Sequence, residues 1–214
     1  RVFLMTGQTV EDLSSVKYGM SNWLQENIPY ELEDYGFHGK IDSFITGMGF
    51  HAVWDEMFKR VILTKRDLQP TPEFKLKYRG IFTDLRQLVV EGIGSIGYIN
   101  GTYYEVILSA IGEPSTVPLE ININSLFTNS GNPLFQRSGW TISFSFVQIQ
   151  QGKVGSWESF HDYIPYMYSY SGIDVHSFND DSNSIWEHND YDNLGKFYGV
   201  QYPWEVEVIS NMMP

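Results

Sequence analysis

The residue types in this chain best suited to chemistry are aromatic rings set beside carboxylates. Trp157-Glu158, Asp162-Tyr163 and Trp186-Glu187 each place a ring next to an acid, and Tyr166, Tyr168 and Tyr170 alternate along one short run. Flat rings stack on the faces of sugars, and two carboxyl groups held about 5 or about 6.5–9.5 Å apart hydrolyse glycosidic bonds. A spacing of two puts all three tyrosine rings on one face of a strand. Such a face serves as a sugar platform or, more commonly, as a packed layer between sheets. Nothing in the sequence separates an acid from a nucleophile among these carboxylates. Trp157, Tyr166, Tyr168, Tyr170 and Trp186 are therefore the candidate interaction surface, with a host glycan as candidate ligand and no catalytic residue assigned.

Other reactive patterns are weaker. The five histidines, His38, His51, His161, His176 and His188, show no pairing at helical spacing, and His51 and His161 sit among aromatics like structural histidines. The run 179-NDDSN-183 is rich in oxygen donors, as calcium requires, but lacks the glycine and distant glutamate of a helical calcium loop, so it reads as a hairpin turn. His188-Asn189-Asp190 with Asp192 likewise reads as a polar turn. No nucleophile elbow, phosphate loop or dinucleotide fingerprint is present; 92-GIGSIG-97 reads as a turn inside a hairpin. The expectation is a protein without metal or cofactor.

With no cysteine, disulfides and thiolate chemistry are excluded. Twenty-six acidic against fourteen basic residues give a formal charge of −12, a surface that repels phosphate and disfavours nucleic-acid binding. No apolar run approaches the roughly 20 residues a membrane-spanning helix needs. The opening 1-RVFLM-5 reads as a strand entered mid-stream, which suggests a piece of a longer polypeptide.

Fourteen Tyr, fourteen Phe and six Trp suit a pleated, half-buried surface. A strand is expected to end at Gly7, followed by one helix in 9-TVEDLSSVKYGMSNWLQENIPYELED-34, with Thr9 and Asp12 as a capping pair and Val16, Met20, Trp23 and Leu24 on its buried face. From residue 41 the period turns to two. A hairpin turns at 55–59, Phe74–Tyr78 and Leu88–Val90 are strand-like, Asn100-Gly101 is a tight hairpin turn, and strands are expected over 117–123, 175–178, 184–186 and 203–209. The expected class is all-β, antiparallel, with one short N-terminal helix.

One phrase occurs twice. In 49-GFHAVWDEMFKRVILTKRDLQP-70, Gly49, Phe50, Val53 and Trp54 answer Gly139, Trp140, Ser143 and Phe144 of 139-GWTISFSFVQIQQGKVGSWESFHDYIP-165. Thr64-x-x-Asp67-x-x-Pro70 answers Ser159-x-x-Asp162-x-x-Pro165, with the aspartates as turn caps and the prolines as strand stops. Repetition of a strand pattern is the signature of β-propeller blades. Trp54, Phe144 and Trp157 would fill the gaps between sheets. The organisation expected is 1–70 as N-terminal strand, helix and first blade-like hairpin, 71–138 as a β-rich insertion, and 139–214 as a second blade-like unit.

The phrases 50-FHAVWDEMFKRVILTKRDLQP-70, WTISFS…SWESFHDYIP, SIWEHN and 195-GKFYGVQYPWEVEVI-209 resemble those of virion structural proteins of crAss-like, short-tailed bacteriophages, of the tail-nozzle or muzzle type. The resemblance covers about half the chain, and the stretch 71–138 has no counterpart in it. It implies a non-enzymatic, propeller-like subunit of the virion tail, forming a ring with copies of itself and with other tail proteins, through which the genome exits. The acidic charge would let DNA pass without adhering to the wall.

Overall fold

The computed structural model describes residues 1–6, 9–30, 48–78, 81–119, 135–147, 155–179 and 184–203. Among them 49% lie in strands and 18% in helices, so the all-β reading holds at the level of class. The strands form several small sheets, not a closed barrel.

The central sheet has four antiparallel strands: β3 (Gly49–Asp55), β4 (Arg60–Pro70), β9 (Phe135–Ser145) and β10 (Ser156–His161), in the order β10-β9-β4-β3. Both copies of the repeated phrase lie in this one sheet, where separate blades were expected. The register explains why they match. Arg66 of β4 pairs with Gly49 on one side and Gly139 on the other; Lys65 lies between Phe50 and Trp140, Ile62 between Val53 and Ser143, Val61 between Trp54 and Phe144. The corresponding residues are neighbours across a shared strand. They face the same side at the same level, so similar surroundings select similar side chains.

The second half of the phrase does not correspond. Asp67 is a buried residue of β4, whereas Asp162 follows β10 and is exposed. Asp67 accepts from the Leu68 amide at 2.8 Å and pairs with Lys65 at 2.7 Å, so neither aspartate is the turn cap expected.

Both phrase-opening glycines have positive φ, 109° at Gly49 and 148° at Gly139. A Cβ on Gly139 would collide with the Lys65 carbonyl oxygen across the strand. Gly139→Ala is expected to cost about 1–3 kcal/mol from combined strain and clash. Urea titration checks this against Gly101→Ala, whose Cβ would meet nothing within 4 Å.

One face of the central sheet carries Phe50, Leu63, Trp140, Ile142, Phe144 and Trp157 and is covered by the N-terminal segment. That segment is a hairpin of β1 (Phe3–Thr6) and β2 (Thr9–Asp12), a 3₁₀ turn at Val16–Tyr18, and α1 (Ser21–Asn27). The predicted helix is thus shorter. Thr9–Asp12 pairs as a strand, and Asp12 accepts from the Ser14 amide at 2.9 Å in the following turn. Three side chains of the sheet hold the segment by its carbonyls: Trp157 Nε1 donates to Leu13 O (3.1 Å), Trp140 Nε1 to Asn27 O (3.1 Å) and Lys65 Nζ to Pro29 O (2.7 Å). Such donors satisfy backbone acceptors that packing removes from water.

The opposite face is unusually polar, with Asp55, Thr64, Arg66, Thr141, Ser143 and Ser145 buried. Against it packs a three-stranded antiparallel sheet of β11 (Met167–Tyr170), β12 (Val175–Phe178) and β13 (Ile185–Glu187), with Val175 seated on Val53 and Ile62. With both faces covered, β4 is buried almost throughout, although its sequence VILTKRDL carries three charges.

The 71–138 stretch departs from expectation where propensity and capping compete. Phe74–Tyr78, read as a strand, belongs to α2 (Pro72–Lys77), because Thr71 caps the Phe74 amide at 3.2 Å and Pro72 opens the first turn. Leu88–Val90 lies in α3 (Leu85–Glu91), started by Asp84, which accepts from the amides of Arg86 and Gln87. Gly92 therefore ends a helix and is not part of a hairpin turn. The rest is a second sheet, β5 (Ile81–Phe82), β6 (Ile96–Ile99), β7 (Thr102–Leu108) and β8 (Pro114–Leu119), in that order. Its β6–β7 turn is the expected one, with φ of 51° at Asn100 and 83° at Gly101. Residues 204–209 of the expected strand at 203–209, residues 120–123 of that at 117–123, the loop at 128–133, most of the Asn/Asp run at 179–183, and His38 lie outside the described residues. Among the described residues no helix is long and apolar enough to cross a membrane.

Candidate functional site

The five residues proposed as one interaction surface are not one surface. Trp157 is core, its ring 5.2 Å from Phe144 and its indole N–H bonded to Leu13. Tyr168 lies in the inter-sheet layer, its hydroxyl 2.7 Å from Thr64 Oγ1, which also bonds Thr141 Oγ1 at 2.8 Å. Tyr166 lies under the Arg66 guanidinium at 5.1 Å. Tyr170 is exposed and donates to the Gly172 carbonyl. The alternation of these tyrosines is thus largely a packing pattern. Of the five, Trp186 lines a cavity.

That cavity is an open cleft of about 820 Å³ where the end of β10 meets the chain from β13 onward. The later chain is a 3₁₀ turn at Tyr191–Asn193, capped by Asp190, and a small hairpin of β14 (Lys196–Phe197) and β15 (Val200–Gln201). Trp186, Tyr191, Phe197, Tyr198 and Tyr202 supply its rings. Asp162, Glu187 and Asp190 are its exposed carboxylates, and of these Asp190 is engaged by the Asp192 amide at 3.0 Å and Asn193 Nδ2 at 2.6 Å.

Tyr163 forms the cleft's base. Its buried ring lies 5.3 Å from His161, 4.8 Å from His188 and 4.5 Å from Phe197. Burial lowers both imidazoles to about 4, helped by the positive charge of Arg60, so both are neutral at pH 7. Burial also raises the phenols of Tyr163 and Tyr168, which stay protonated. Beneath the cleft Asp55 is fully buried. It takes Arg60 Nε at 2.8 Å, the Phe58 amide at 3.2 Å and Asn189 Nδ2 at 3.3 Å, which joins the β3–β4 turn to the segment after β13.

Ser177 Oγ lies 2.6 Å from His188 Nε2 and 2.7 Å from Tyr198 Oη. Nucleophile and base stand at catalytic distance here, but Ser177 is fully buried beneath the sheet, and a base near 4 is poorly matched to neutral pH. The contact fastens β12 to β13 and to the β14–β15 hairpin. Among the described residues no group of three or more His, Asp or Glu converges as a metal would need.

Sequence reasoning placed Trp186 and Asp162 among candidate residues but missed that the strings SFHDYIP, SIWEHN and GKFYG close on one another. The signal available was their shared richness in rings and histidine. Their partners lie up to forty residues apart and only the fold pairs them. The molecule these features define is a mostly β protein with an aromatic cleft over a buried polar layer. The chain matches no protein-family model, no curated protein and no solved structure.

Proposed function

We propose that this chain is part of a non-enzymatic structural subunit of a bacteriophage tail, a nozzle or muzzle ring through which the genome leaves. The observation that carries the reading is how the family-like strings are used. Their rings, histidines and hydroxyls interlock with one another: Tyr163 on His161, His188 and Phe197, Trp186 on Tyr198 at 5.6 Å, and Ser177 joined to His188 and Tyr198. These side chains act as scaffold. The sheet β3-β4-β9-β10 is four-stranded and antiparallel, with the 71–134 stretch between β4 and β9, and a four-stranded antiparallel sheet is also the repeating unit of a propeller, which supports the reading.

Two further features support assembly. The 72–119 region exposes Leu76, Val90 and Ile111 at 83–89%, side chains that a neighbouring subunit would cover. The formal charge of −12 suits a wall past which DNA must slide. Antibody raised against this chain should label the tail tip of the parent particle in electron micrographs. Labelling of the capsid shell, or of no particle at all, would remove the proposal.

A further inference from the structure

The aromatic cleft has a use that packing alone does not supply. We propose that it binds a short neutral saccharide, with the rings as stacking faces and Asp162 and Glu187 as hydroxyl acceptors. The proposal stands on the cleft and is independent of the tail assignment.

Size is the first consideration. About 820 Å³ lies within the roughly 300–1,000 Å³ of small-ligand sites. Exposure is the second. Tyr191 is 72% exposed and Phe58 44%, two rings lining the cleft that a purely structural cluster would have turned inward. Hydrogen bonding is the third. The side chains of Asp162 and Glu187 make no hydrogen bond or ion pair among the described residues, while the neighbouring Asp190 is fully used as a cap. Flat rings beside free acceptors fit a ligand with apolar faces and a girdle of hydroxyl donors.

Charge decides against anionic sugars. Arg60 is committed to Asp55, which leaves Lys196 as the lining cation against Asp162, Glu187 and Asp190, and both cleft histidines are neutral at pH 7. Sulfated or sialylated chains would meet like charge on a surface already strongly acidic.

The test uses the full chain and isothermal titration calorimetry, which reads the wild type and the Trp186 variants alike. The probes are maltohexaose, cellohexaose, mannohexaose and galactohexaose, with dextran sulfate as the anionic arm. Saturable binding to at least one neutral oligosaccharide is expected at millimolar concentration. Trp186→Ala should weaken it at least tenfold and Glu187→Gln several-fold. Tyr191→Ala keeps the test clear of folding effects because that ring is largely exposed; it should weaken binding with an unchanged melting temperature. Partial recovery in Trp186→Phe would mark stacking as the source. Binding to none of the neutral probes, binding indifferent to Trp186→Ala and Tyr191→Ala, or a preference for dextran sulfate would each overturn the proposal.

Discussion

Acidification from pH 7 to pH 5 should strip this protein of a large share of its stability, before most carboxylates titrate. His161 and His188 titrate near 4 in the folded chain, against 6.5 when unfolded. Between those values the unfolded chain binds more protons than the folded one, so stability falls as pH falls. Above about pH 7 neither state is protonated and these groups contribute no slope. The full loss is at most about 3 kcal/mol for each histidine. Burial is the main cause for both. Arg60 adds repulsion at both sites and His176 at His188, while Asp55 opposes the shift. Urea titrations at pH 7.5, 6.0, 5.0 and 4.5 should show a decline steepest below pH 6. In the double variant His161→Gln, His188→Gln the decline over that range should nearly vanish. A wild-type curve flat from pH 6.5 to 4.5 would mean that the imidazoles are not buried as described.

Loss of the Asp55 carboxylate should be about as damaging as any single change in the chain. Asp55→Ala leaves the Arg60 guanidinium without its buried partner, the Phe58 amide without its turn acceptor and Asn189 without its contact across the cleft base. Removing one member of a buried ion pair costs about 3–5 kcal/mol. Arg60 is 17% exposed and can recover some hydration, which places the expectation at the lower end. Asp55→Asn retains a turn acceptor and should cost roughly half as much. The pair is also distinguishable from a surface salt bridge by salt. Added sodium chloride should barely change the wild-type contribution, because screening acts weakly on buried charges. A cost below about 1 kcal/mol for Asp55→Ala would place the carboxylate at the surface.

Strand content was legible in the sequence wherever alternation and turn chemistry agreed. Phe50, Ala52 and Trp54 do share a face, and Asn100-Gly101 does turn the β6–β7 hairpin. Helices were lost where short apolar runs decided the reading. In α2 the alternation of Phe74, Leu76 and Tyr78 with lysines resembled a strand, yet the Thr71 cap and Pro72 were the stronger signals. At the N-terminus, Thr9 and Asp12 looked like a cap, but the partner β1 was available to pair with them. The repeated phrase was visible, whereas its meaning was not. Gly49 and Gly139 correspond because both flank Arg66, a relation set by β4–β9 pairing across a gap of sixty-odd residues. The cleft depended on the same kind of long-range closure: nothing local to His161 announces Phe197 or Tyr198.

The ring is the claim on which the functional reading turns, and electron cryo-microscopy of the purified polypeptide in its natural full length tests it most directly. Closed rings of identical subunits should appear, with the β10-β9-β4-β3 sheet built into the wall and acidic residues facing the channel. A monodisperse monomer at assembly concentrations, or a ring whose channel is lined by lysine and arginine, would contradict it.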